Sequence, residues 1–89
     1  MKIKEGFVVR EIAGQSFIVA LGNASKTLNG MIKLNETARF IWDMLASGAE
    51  KDTILPKMMD EYDVERDQLE ADYDRLIATL QEAGIFESE

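Results

Sequence analysis

Hydrophobic and polar positions follow two different rhythms along these 89 residues, and the rhythm changes after Leu34. Before that point, Phe7 to Ile12 and Ser16 to Leu21 are short runs rich in Val, Ile and Phe, separated by Ala13, Gly14 and Gln15. Such runs around a glycine-containing connection predict a β-hairpin. Gly22 ends the second run, Asn23 to Thr27 is small and polar, Asn29-Gly30 signals a turn, and Met31 to Leu34 is a short strand candidate. The predicted strands cover about 6–12, 16–21 and 31–34.

From Asn35 onward the apolar period is close to four. Asn35 is a good N-cap, Glu36 favours a first turn, and Ala38, Ile41, Trp42 and Leu45 share one face until Gly48. A second helix, capped by Asp52, carries Leu55, Met58, Met59 and Tyr62 at the same spacing, with Pro56 early enough to be tolerated near the first turn. The third is the longest: Leu69, Tyr73, Leu76 and Leu80 form its stripe, Ile77 lies on a flank, and Gly84 precedes Ile85 and Phe86. The predicted helices cover about 36–47, 53–62 and 66–84. Trp42 and at least one of Met58 and Met59 belong to the core on this reading.

The expected fold class is therefore α+β: a three-stranded antiparallel sheet followed by three helices, winged helix-turn-helix-like, in one domain spanning 1–89. The composition of 46% hydrophobic and 30% charged residues lies in the globular range. No apolar run approaches the roughly 20 residues that span a bilayer, and the start MKIKEGFVV lacks the apolar core of a secretory signal. No membrane association and a cytoplasmic location are expected.

Charge narrows the functional classes. Residues 1–42 hold six bases and three acids, a net +3, whereas residues 43–89 hold four bases and fourteen acids, a net −10. A winged helix-turn-helix would use its third helix to read DNA. Between Arg66 and Glu82 that helix offers Arg66 and Arg75 against Asp67, Glu70, Asp72, Asp74 and Glu82. Affinity for DNA draws largely on Lys and Arg neutralising phosphates, so no nucleic-acid partner is expected. The chain has no histidine and no cysteine, and its carboxylates are spread over helices instead of converging on a cleft. An enzyme is not expected. Neither acidic cluster, Asp60–Glu61–Asp63 or Asp72–Asp74, has a calcium-loop pattern, and the glycines form no phosphate cradle, so no metal and no cofactor are expected.

The run Ile32 to Leu45, followed by Gly48, Ile54, Tyr62-Asp63-Val64, Leu69-Glu70-Ala71-Asp72, Leu80 and Gly84-Ile85, resembles the PqqD-like family, and the resemblance extends from Phe7 to Phe86. Its most characteristic pieces are the Leu-Asn pair before the first helix, the Ile-Trp pair within it and an Asp in the third. The resemblance implies a non-catalytic adaptor that binds the leader of a ribosomally made precursor peptide. It also implies delivery of that leader to a separate modifying enzyme, often a radical SAM enzyme, sometimes a protease or cyclase. In the family the leader adds a strand in a groove between strand three and helix three. This carries over to Met31, Ile32, Lys33 and Leu34 as the strand edge and to Asp72, Tyr73, Leu76, Ile77 and Leu80 as the facing wall. A winged-helix-like transcriptional regulator, or another protein-interaction module, is the alternative.

Elementary energetics make strand addition feasible and say where selectivity resides. An edge strand exposes unpaired N–H and C=O groups on which any extended segment can pair, including a copy of this chain as a homodimer. Four ladder bonds at ~0.5 to 1.5 kcal/mol each barely offset an association cost of about 4 to 15 kcal/mol. Burial of leader side chains in apolar pockets must supply the rest. Leu69, Leu76 and Leu80 are also needed simply to pack the third helix, so Tyr73 and Ile77, off the centre of the stripe, are the better groove candidates. Asp72 could equally be a solvated carboxylate, and Asn35 a helix cap. The acidic helices suit a basic enzyme surface or basic leader residues.

Overall fold

A computed structural model describes residues 2–28 and 30–87. The elements run β1 (Phe7–Ile12), β2 (Gln15–Ala20), a 3₁₀ turn (Gly22–Lys26), β3 (Ile32–Leu34), α1 (Glu36–Ala46), α2 (Lys51–Glu61) and α3 (Arg66–Glu82). The three-stranded antiparallel sheet followed by three helices is the architecture expected from the sequence. Asn29 of the expected Asn-Gly turn lies outside the described residues, as do Met1, Ser88 and Glu89.

The sheet order is β1-β2-β3. The hairpin closes on a two-residue loop, with Ile12 opposite Gln15. Ala13 and Gly14 have φ of 53° and 78°, the pair of left-handed conformations that matches the strand twist in a type I′ turn. Ser16 stands opposite Leu34 and Ile18 opposite Ile32, which settles the register of β3: Ile32 and Leu34 face inward and Lys33 outward. Met31 precedes the strand, so β3 is one residue shorter than expected.

The helix boundaries follow their terminal chemistry. The Ala38 amide donates to Asn35 Oδ1 at 2.9 Å, the expected cap of α1. At its other end Gly48 N donates to the Leu45 carbonyl and Ala49 N to that of Met44, both at 3.0 Å. This paired pattern is a Schellman closure around a left-handed glycine. Gly84 and Ile85 repeat it on Gln81 and Leu80, which is why α3 stops at Glu82 and not Gly84.

The start of α2 differs from expectation. Glu50 occupies the cap position, and Asp52 falls in the first turn, where a carboxylate still favours the positive helix end. With the helix starting at Lys51, Pro56 lies in the second turn, on the exposed side. The 3₁₀ turn was also not anticipated. It buries Ala24 and is held by Ser25 Oγ donating to the Gly22 carbonyl at 2.7 Å.

One core joins both halves. Phe7, Ile18 and Leu34 from the strands meet Ile41, Trp42 and Leu45 of α1, Ile54, Leu55 and Met58 of α2, and Leu69, Tyr73, Leu76, Ile77 and Leu80 of α3. Met58 is interior and Met59 exposed. The chain ends are tied together: Ile3 bridges Phe86, Lys4 N donates to the Ile85 carbonyl at 2.8 Å and Glu87 N to that of Lys2 at 2.8 Å. Among the described residues no helix is long and apolar enough to cross a membrane.

Candidate functional site

Among the described residues β3 pairs only with β2, so its other side is a free edge of the sheet. β1 is the other free edge, but the groove lies beside β3. Ile32, Lys33, Asn35, Thr37 and Ala38 line it on the strand and α1 side, and Asp72, Arg75, Leu76 and Thr79 of α3 form the facing wall. Its volume is about 280 Å³, and Ile41 is fully buried beneath it.

The wall follows directly from helical geometry. Positions 72, 75, 76 and 79 are spaced i, i+3, i+4 and i+7, one stripe along α3. Leu76 belongs to both this stripe and the core stripe, so it presents an apolar surface at the centre of the wall while anchoring the helix. Above it Asp72 Oδ1 accepts from Arg75 Nη1 and from Gln68 Nε2, each at 3.1 Å. Thr79 Oγ1 donates back to the Arg75 carbonyl at 3.0 Å.

Ile32, Lys33, Asp72 and Leu76 therefore come together as expected from the sequence. The others do not. Tyr73 is 2% exposed, Ile77 9% and Leu80 0%, and all three belong to the core. α1 and α2 both pack on α3, which widens its buried arc past the central stripe and takes in the two flank positions. Leu34 turns into the core, and Met31, 55% exposed, lies before the strand and is not part of the groove lining. The residues that sequence reasoning passed over are Thr37, Ala38, Arg75 and Thr79. Helical spacing from Asp72 was the available signal for Arg75 and Thr79, whereas Thr37 and Ala38 lie on α1 and had none.

A second depression, about 440 Å³, lies by the hairpin end and shares Lys33 and Asn35 with the first. Arg39 dominates it, with Nε 3.0 Å from Asp43 Oδ1, Nη1 3.0 Å from Ser16 Oγ and Nη1 3.4 Å from Glu11. The hydrogen bond that Arg39 donates to Asp43 is the main cause that raises the Arg39 pKa above its ordinary value. This arginine pins the hairpin to α1. Two of α3's other acids are likewise engaged away from the groove: Lys51 Nζ lies 3.1 Å from Asp74 and 3.8 Å from Glu70. Among the described residues, no group of three or more acidic side chains is placed to hold a metal ion.

Comparison with solved structures places this fold beside one titled "TbiB1 in Complex with the TbiA(beta) Leader Peptide". The TM-score is 0.77 at 22% identity, over 100% of this chain and 98% of that one. No curated protein sequence matches. The family model described as Coenzyme PQQ synthesis protein D (PqqD) matches residues 16–85. That span runs from β2 through the end of α3 and includes every residue lining the β3 groove, and the chain accordingly belongs to the PqqD family.

Proposed function

We propose that this chain is an adaptor that binds the leader of a ribosomally made precursor peptide by strand addition to β3 and presents it to a separate modifying enzyme. The observation that carries this reading is the free β3 edge lying directly beside a groove whose opposite wall is α3. An extended segment entering there pairs its backbone with β3 and sets alternate side chains against Leu76, Ile32 and Ala38. Membership of the PqqD family supports the reading, as does the fold shared with a protein whose structure includes a leader peptide. The enzyme that receives the leader belongs to the radical SAM, protease or cyclase classes served by that family. DNA reading is disfavoured because α3 exposes Asp67, Asp74 and Glu82 against Arg66 and Arg75.

The test is an amide-resonance titration with a synthetic leader encoded beside the gene. Shifts confined to residues 32–34, 37–38 and 72–79 are expected. Shifts elsewhere, or none, refute the groove; salt-dependent retention on duplex DNA would instead favour a regulator.

A further inference from the structure

Lys33 is the one charged residue of β3, and its side chain points to the outer face of the sheet while Ile32 and Leu34 point inward. On the facing wall, Asp72 is already satisfied by Arg75 and Gln68, so the carboxylate and guanidinium there largely cancel. Glu70 and Asp74 are drawn to Lys51 on the α2 side. The chain as a whole is acidic, at −7, yet the groove's rim retains a positive charge on Lys33. The near acids are Glu11, paired with Arg39 at 3.4 Å, and Glu36 at the start of α1, both lining the depression beside Lys33. Charges beyond about 8 Å are largely screened at physiological salt, so the more distant acids act little on a peptide at this rim.

Resting on the adaptor reading, we infer that the β3 groove selects a leader segment in which an acidic residue stands immediately next to the apolar anchor. The reason is the strand period of two. A peptide residue paired opposite Ile32 points inward, towards Leu76. Its sequence neighbour, paired opposite Lys33, points to the outer face, where a carboxylate makes an opposite-charge cross-strand pair. An acid two positions from the anchor falls on the inward side instead, where the groove is apolar and a charge is penalised. The selected pattern is thus apolar–acidic at adjacent positions, and the acid-rich helices do not call for a basic leader.

The probe is a set of acetylated, amidated threonine-rich nonapeptides with a central leucine, carrying glutamate or lysine either one or two positions from it. Binding is followed by amide shifts of the labelled protein. Glutamate next to leucine is expected to bind two- to fivefold more tightly than lysine there, the range of one exposed ion pair, and more tightly than glutamate two positions away. In Lys33→Glu, whose exposed site leaves the melting transition in place, the adjacent-position preference should reverse. It should also shrink in 1 M salt. Equal affinities, or a preference for lysine, with shifts still confined to residues 32–34 and 72–79, would overturn the charge inference and leave strand addition standing. If no peptide moves those amides at millimolar concentration, the strand-addition reading fails and this inference with it.

Discussion

The Lys51 ammonium sits 5.6 Å from the centre of the Tyr73 ring. The tyrosine hydroxyl, by contrast, is buried with no hydrogen-bond partner among the described residues. The ring therefore contributes packing and a cation–π contact, while the hydroxyl carries an uncompensated desolvation cost. Tyr73→Phe keeps the first two and removes the third, so it should stabilise the fold by about 1 kcal/mol, a rise in Tm of roughly 4–8 °C for a domain this size. A fall in Tm would show that the hydroxyl is bonded after all.

The same hydroxyl sets an alkaline signature. Burial is the main cause that raises the Tyr73 pKa above its ordinary 10.0, reinforced by Glu50 and Asp74 and opposed by Lys51. A raised native pKa means the unfolded chain releases its proton first, so stability is intact below pH about 10 and is lost as pH climbs from there through the native value. Tyr62, also raised chiefly by burial, titrates in the same direction. Urea midpoints measured from pH 9 to 11.5 should fall less steeply in Tyr73→Phe than in the parent, with a residual slope from Tyr62.

Ile77 provides a sharp contrast with Thr79 two residues away. Ile77→Asp places a carboxylate in the core, at a cost of several kcal/mol against a total stability of about 5–15 kcal/mol. Cooperative thermal unfolding should disappear. Thr79→Arg alters an exposed groove position, where the expected change is within roughly 0.5 kcal/mol, but the longer side chain fills the groove and should abolish peptide-induced shifts. A folded Ile77→Asp protein with weakened binding would return Ile77 to the groove wall.

That contrast marks how far the sequence could be read. Period-two runs, period-four stripes and the glycines at 48 and 84 made the order and type of the sheet strands and helices legible, because each is a local property of the chain. The face of α3 that borders the groove was not, because it depends on which neighbours cover the helix. The central stripe marks only where burial is deepest, and α1 and α2 extend it over Tyr73 and Ile77. The pairing of Ile3 with Phe86 was equally hidden. A single bridge between chain ends has no periodicity to announce it.

Asn35 borders the groove, but its chemistry is that of a cap. Its Oδ1 accepts from the Ala38 amide at 2.9 Å and from Thr37 Oγ1 at 3.1 Å. Asn35→Ala should cost about 1 kcal/mol of stability, read as a lower urea midpoint at unchanged slope. Asn35→Asp or Ser should restore most of it. Peptide affinity of the folded fraction should stay within twofold of the parent; a larger loss shared by Asn35→Ser and Asn35→Asp, which keep the cap but lack the amide, would mean the amide itself contacts the peptide.

The hairpin turn offers the opposite case, a residue the fold tolerates at a cost. Ala13 holds φ at 53°, a conformation in which its Cβ crowds the following carbonyl at about 1–2 kcal/mol. Asparagine is the residue that two-residue type I′ turns favour there, and Gly14 already follows it. Ala13→Asn should raise stability by about 0.5–1 kcal/mol, seen as a higher urea midpoint with the slope unchanged. Because the turn fixes Ile12 opposite Gln15, and β2 in turn holds Ile18 opposite Ile32, stiffening it preserves the register that points Lys33 outward. Peptide selectivity should therefore be the same in Ala13→Asn as in the parent. A stability gain accompanied by altered selectivity would show that the hairpin shifts register when the turn is free to relax.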